Sequence, residues 1–132
     1  MQVFVIDDDE ISTFLAEQVL LEEDEATSVS TFASASDAFE TLTKHAQTDV
    51  PEMVLLDLHM PEMSGWEFLD ALRPYEQYLY GRCHIYILSS SLDPEDETKA
   101  GLYTLVSGFL QKPIDPDVLQ ALFSQVKNDT IF

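Results

Sequence analysis

The run Met53-Val54-Leu55-Leu56-Asp57, followed by Leu58-His59-Met60-Pro61 and then Gly65, decides the fold. Four apolar residues in succession, just after Pro51, read as a short strand buried on both faces. An aspartate at the end of such a strand lies at the carboxyl edge, where open α/β sheets bind their ligands. Met60-Pro61 and Gly65 interrupt regular structure, so the carboxylate borders a loop rather than entering a helix at once. Alone, Asp57 reads equally well as a strand-terminating residue that begins a turn. Its company elsewhere in the chain separates the two readings.

Working outward, the pattern of apolar run and polar stop recurs. Residues 3–6 form a short buried strand that meets Asp7, Asp8, Asp9 and Glu10. Ile11, Phe14, Leu15 and Val19 then follow a helical period up to the acidic stretch 22–25. Residues 27–32 alternate β-formers and serines, a second strand, and Ser34 and Ser36 offer N-caps for a helix through Ala38, Phe39 and Leu42. Beyond Asp57, the residues Trp66, Phe68, Leu69 and Leu72 continue into a helix that Pro74 ends. Residues 85–88 read as a fourth strand closing on Ser89-Ser90-Ser91. Asp93-Pro94 pairs an N-cap with a proline at the first helical position, and Asp115-Pro116 repeats that start. Between them, residues 108–111 form a fifth strand ending at Lys112-Pro113. Val118, Leu119, Leu122, Phe123 and Val126 give the last helix its apolar face. Five strands alternating with five helices predict an α/β fold, a parallel sheet covered by helices on both faces.

With 132 residues, 45% of them hydrophobic and 23% charged, the chain reads as one globular domain spanning 1–132, with no output domain attached. No apolar stretch approaches the roughly 20 residues of a membrane span. The start, Met1-Gln2-Val3-Phe4, lacks the layout of a signal peptide. The single cysteine, Cys83, cannot form an internal disulfide, and a cytoplasmic location is expected. The charge is one-sided: 6 basic against 25 acidic residues, net −19, with the first cation at Lys44. Such a surface repels phosphate backbones and argues against nucleic acid as a partner.

On this topology strands one, three, four and five end at Asp7-Asp8, Asp57, Ser89 and Lys112, and parallel strands bring those ends to one edge. Carboxylates crowded there repel one another; each pair at about 4 Å costs roughly 1 kcal/mol in water and about 4 near a protein surface. A hard cation with few protein oxygens and several waters, Mg²⁺, relieves that repulsion. Asp9 is the expected N-cap of the first helix, which leaves Asp7 and Asp8 for the metal. Lys112 can pair with Asp57 at rest and with phosphoryl oxygens later. The Ser89 hydroxyl can donate to a phosphoryl oxygen, and Phe109 is by default a core aromatic. These parts suit phosphoryl transfer, in which a carboxylate nucleophile attacks phosphorus to give an acyl phosphate.

The strings VFVIDDDE, MVLLDLHMPEMSGWEFL, IYILSSS and GFLQKP, in this order and spacing, closely resemble a response-regulator receiver domain of two-component signalling. The resemblance covers essentially the whole chain. It implies a flavodoxin-like three-layer fold with strand order 2-1-3-4-5, and a phosphoprotein of a phosphorelay that catalyses only its own phosphorylation and dephosphorylation. Asp57 would be the phosphoacceptor, fed by a phosphohistidine on a sensor histidine kinase or a histidine phosphotransfer protein. Asp8 would hold Mg²⁺ directly and Asp7 mainly through water, with Asp57 and the His59 backbone carbonyl completing the protein ligands. Ser89 matches the family's hydroxyl position and Lys112 its lysine, with the bond to Pro113 cis. Phe109 matches the switch aromatic. On phosphorylation Ser89 would move toward the phosphoryl group and Phe109 turn into the space it leaves. That would alter the surface of helix four, strand five and helix five, where a downstream protein or a second copy would bind.

His59, two residues past Asp57, and Ser91, two past Ser89, occupy positions that modulate dephosphorylation in this family. The connection 75–83, with Tyr78 and Tyr80, is long and aromatic, and the sequence leaves open whether it packs on the body or meets a partner. An alternative is an aspartyl-phosphate phosphatase of the haloacid dehalogenase type. That class needs a second aspartate where this chain has His59, and its nucleophile follows the first strand rather than the third.

Overall fold

Strands β1 (Gln2–Ile6), β2 (Ser28–Phe32), β3 (Met53–Asp57), β4 (His84–Ser89) and β5 (Val106–Gln111) pair in parallel, in the order β2-β1-β3-β4-β5. The computed structural model describes residues 1–24, 27–44, 46–90 and 93–129. Helices α1 (Glu10–Glu23) and α5 (Pro116–Asp129) cover one face of the sheet, and α2 (Ala35–Lys44), α3 (Gly65–Leu72) and α4 (Pro94–Ala100) cover the other. This is the helix-covered parallel sheet that the apolar runs predict, in the flavodoxin-like strand order that the resemblance implies.

Successive side chains of a strand point to opposite faces, so each central strand feeds two cores. Val3 and Val5 pack with Leu20, Leu119 and Phe123 beneath α1 and α5. Phe4 and Ile6 pack with Leu42, Phe68 and Leu72 beneath α2 and α3. Every residue of β3 is buried, which is why that strand reads as an unbroken apolar run. The edge strand β2 is polar and partly exposed.

Side-chain caps fix where helices begin. Asp9 Oδ1 accepts from Ile11 N at 3.0 Å and Oδ2 from Ser12 Oγ at 3.0 Å, which makes Asp9 the N-cap of α1. Asp93 caps α4, with Pro94 at its first position. Ser34 serves α2, its Oγ accepting from Asp37 N at 3.4 Å.

Two details depart from the sequence reading, and a third answers what it leaves open. The strand read from residue 108 begins at Val106, and its register slips so that Ile85 faces Val106 while Tyr86 faces Gly108, with Ser107 the extra residue. The stripe Ile11, Phe14 and Leu15 faces solvent, and the inward side of α1 is Ser12, Ala16 and Leu20. The connection after α3 packs on the body as a 3₁₀ turn (Arg73–Tyr75) and one helical turn (Glu76–Leu79). Tyr75 meets Phe39 edge-on at 6.0 Å, Leu79 is buried, and Gly81 at φ 79° turns the chain toward β4.

Cys83 lies at the foot of that turn, and burial pushes its thiol up to about 12. A thiol so enclosed stays protonated and unreactive. Alkylation by iodoacetamide, followed by intact mass, is therefore expected only under denaturing conditions; labelling of the native chain within minutes would contradict this packing.

Candidate functional site

The carboxyl ends of β1, β3, β4 and β5 converge as the topology requires. Asp57, the last residue of β3, is 6% exposed, and Ser89, the last residue of β4, is 1% exposed. Asp7, just past β1, is buried, while Asp8 beside it is exposed. Carboxylate oxygens of Asp7, Asp8 and Asp57 all lie within 4.8 Å of one another.

Lys112 reaches into this cluster from the end of β5. Its ammonium lies 2.8 Å from Asp7 Oδ2 and 3.6 Å from Asp57 Oδ2. The sequence reading paired it with Asp57; the structure shares it between the two acids, with Asp7 nearer. Its backbone N–H donates to the Ser89 carbonyl at 2.7 Å, joining the ends of β4 and β5, and the bond to Pro113 is cis, as the resemblance implied.

Electrostatics follow from burial against partners. Burial raises the Asp7 carboxyl above its ordinary range, and the Asp57 charge adds to that, against the lowering effects of Lys112 and the Asp9 N–H. Burial lowers the Lys112 ammonium, but the contact with Asp7 and the charges of Asp7, Asp57 and Asp9 outweigh it and leave it raised. The Ser12 hydroxyl and the Ile11 N–H hold Asp9 low, as befits a cap.

Asp7 Oδ1 accepts from Asp9 N at 2.9 Å, but its buried Oδ2 has no hydrogen-bond donor among the described residues besides the ion pair with Lys112. One ammonium against three carboxylates leaves the cluster net negative. Its hard oxygen donors, part buried and part exposed, suit a hydrated Mg²⁺.

The loop after β3 wraps the site. His59 N donates to Asp57 Oδ1 at 3.2 Å while the His59 side chain is exposed. Glu62 sits in the left-handed region at φ 68°. Ser64 and Glu67 form a capping box that starts α3, and Gly65 N donates back to the Leu58 carbonyl at 3.0 Å. Phe109 lies half-buried against the α3–α4 core. Ser91 lies outside the described residues.

What the sequence reading missed is the landscape beside the acids. Phe14, 60% exposed on α1, lines a groove with Asp8, Glu10, Thr13, Glu17 and Phe32, and Ile11 on the same helix is 72% exposed. The signal was present, because apolar residues run all round α1 rather than along one stripe.

Comparison with known proteins agrees with this geometry. The family model for the response regulator receiver domain matches residues 3–124. Response regulator Rre1 of Synechocystis is 31% identical over 115 residues, 87% of this chain and 47% of that protein. A 14.6 kDa protein of Leptolyngbya boryana is 29% identical over 95% of this chain and 88% of its own length. The chain thus spans about half of Rre1 and 36% of the Escherichia coli nitrate/nitrite response regulator NarL. Among solved structures, a two component response regulator from Cytophaga hutchinsonii superposes with TM-score 0.84 at 29% identity, covering 96% of each chain. The Vibrio cholerae chemotaxis protein CheY4 gives TM-score 0.78 at 25% identity, covering 95% of this chain and 97% of that one. No helix among the described residues is long and apolar enough to cross a membrane. Sequence, topology and the acid cluster agree, and the chain belongs to the response regulator receiver domain family of two-component signalling.

Proposed function

We propose that Asp57 accepts a phosphoryl group from a phosphohistidine of a sensor kinase or histidine phosphotransfer protein. The observation that carries this reading is the meeting of Asp7, Asp8 and Asp57 within 4.8 Å around the shared Lys112 ammonium. A carboxylate oxygen of Asp57 forms the new bond to phosphorus as the bond from phosphorus to the imidazole nitrogen breaks, and the electron pair leaves with the imidazole. Asp7, Asp8 and Asp57, with the His59 backbone carbonyl, would hold Mg²⁺, which when bound neutralises charge on the transferred oxygens. Lys112 is placed to shift from the carboxylates to a phosphoryl oxygen, and the Ser89 hydroxyl to donate to another.

The product carries roughly −2 charge where the carboxylate carried one, together with new acceptor oxygens. Ser89 and Phe109 are the residues through which that change would reach the face of α4, β5 and α5. A downstream protein or a second copy would bind there. The chain acts as a receiver unit that promotes its own phosphorylation and dephosphorylation.

Incubation with acetyl phosphate and Mg²⁺ is expected to add one phosphoryl group by intact mass, and EDTA to prevent it. No mass gain, or a gain indifferent to EDTA, would sink the reading.

The exposed Ile11 and Phe14 give the phosphodonor a landing place. The carboxylates of Asp8, Glu10 and Glu17 around them call for a donor whose apolar contact residues are bordered by Lys or Arg. Phe14→Ala is accordingly expected to slow transfer from the protein donor about tenfold, the scale of a lost aromatic anchor. Its reaction with acetyl phosphate should be unchanged; equal slowing with both donors would refute the landing role.

A further inference from the structure

Only Ala100 among the seven residues of α4 is buried. Asp96 is half-buried and the other five are exposed. Core packing gives such a helix little hold, and among the described residues the side-chain contacts that tie it to α3 lie at its C-terminal end. The Lys99 ammonium sits 4.4 Å from the centre of the Trp66 ring on α3. Trp66 stacks on Tyr103, three residues beyond α4, with centroids 5.8 Å apart and planes 29° from parallel. The Arg73 guanidinium covers the Tyr103 ring at 4.6 Å. The Tyr103 hydroxyl donates to Asp70 Oδ1 at 2.7 Å, and Arg73 Nε reaches the same oxygen at 3.4 Å.

Cation, indole, phenol and cation thus alternate in one column that joins α3 to the end of α4. Negative ring faces attract cations, so each layer supports the next. Two of the six cations in the chain stand here, although acids are abundant everywhere else. The Tyr103 hydrogen bond holds the Asp70 carboxyl below its usual range, and burial with that bond pushes the phenol up. Asp70 and Tyr103 therefore keep their charge states through neutral pH.

We infer that this column is a latch: it pins the C-terminal end of α4 to α3 and sets the resistance to rearranging the α4–β5–α5 face. Its use in signalling rests on the proposed phosphoacceptor role of Asp57; its existence does not. Ser89 ends the strand that precedes α4 in the chain, so a movement of Ser89 would work against the hold of the latch.

Hydrogen–deuterium exchange on the full chain tests the latch. Lys99→Gln is expected to speed exchange of the α4 amides about threefold, the scale of one exposed cation–π contact. Tyr103→Phe, which keeps the ring and removes the hydrogen bond to a carboxylate, should speed it about tenfold. Trp66, the single tryptophan, should shift its emission to the red in both. Lys44→Gln on α2 should leave α4 unchanged. Exchange of α4 at the wild-type rate in both variants, with unshifted emission, overturns the latch.

Acetyl phosphate with Mg²⁺ then separates the two claims. Phosphoryl gain that speeds α4 exchange in the wild type, with neither change in Asp57→Asn, supports the signalling use. Phosphoryl gain with α4 exchange unchanged overturns that use. No phosphoryl gain, with α4 still loosened in the variants, keeps the latch and removes the phosphoacceptor reading.

Discussion

Asp57→Asn is expected to lower the rate of phosphoryl gain from acetyl phosphate and Mg²⁺ by a factor on the order of 10⁴ or more, the usual scale for losing a nucleophile. The amide keeps the size of the side chain and can still accept from His59 N, which Asp57 Oδ1 does at 3.2 Å. What it loses is the charged oxygen that would attack phosphorus and one of the three carboxylates that would hold the metal. The fold should survive, since the amide has the same shape in the same pocket. Asp9→Asn is the informative contrast. It lies two residues from Asp7, but its carboxylate caps α1, and asparagine caps helices about as well as aspartate. Intact mass and thermal melting of the two variants side by side should show a silent site with a normal melt for Asp57→Asn, and near wild-type behaviour for Asp9→Asn. A phosphoryl group that still appears on the Asp57 variant would place the acceptor elsewhere.

Gly65→Ala should be the most damaging of the four glycine-to-alanine changes, costing about 3 kcal/mol, the upper end of overpacking in a filled site. A Cβ there would lie 2.7 Å from the Asp57 carbonyl oxygen and 2.8 Å from Leu58 Cα. Both are backbone atoms, so no side-chain rotation relieves the clash. Either α3 must retreat or the loop that carries Asp57 must move, and the bond from Gly65 N to the Leu58 carbonyl at 3.0 Å stretches with it. Urea unfolding should show a lower midpoint with unchanged slope, and phosphoryl gain should fall in the fraction that remains folded. Gly101→Ala supplies the comparison: its nearest contact would be 3.3 Å from the Thr98 carbonyl, a position that needs only a small adjustment. A Gly65→Ala midpoint equal to the wild type would mean that the α3 start does not press on the Asp57 loop.

Burial explains which parts of this structure could be read from the residues. β1 and β3 are enclosed by helices on both faces, so their apolar runs are unambiguous, and a parallel sheet then delivers Asp7, Asp8, Asp57, Ser89 and Lys112 to one edge whatever the details. The Asp-Pro starts at 93–94 and 115–116 are local chemistry and fall where helices begin. β5 was read two residues short, because Ser107-Gly108 is a weak strand signal that tertiary pairing with β4 overrides through a register shift. The inward face of α1 was misread because small residues, Ser12 and Ala16, pack closest to the sheet while the bulkier Phe14 and Leu15 are left outside. The sharing of Lys112 between Asp7 and Asp57 depends on one flexible side chain, and the Trp66–Tyr103 stack on two residues far apart in the chain. No periodicity encodes either.

The absence of any lysine or arginine before Lys44 gives the molecule a directional field around the mouth of its acid cluster. Small anionic phosphodonors such as acetyl phosphate would approach that mouth slowly rather than be barred from it, and salt should speed them by shortening the range of the repulsion. A cationic protein would be drawn in by the same field. If Asp57 is the acceptor proposed above, stray high-energy metabolites would be kept at a kinetic distance, and the molecule would listen to macromolecules in preference to the chemical noise around them.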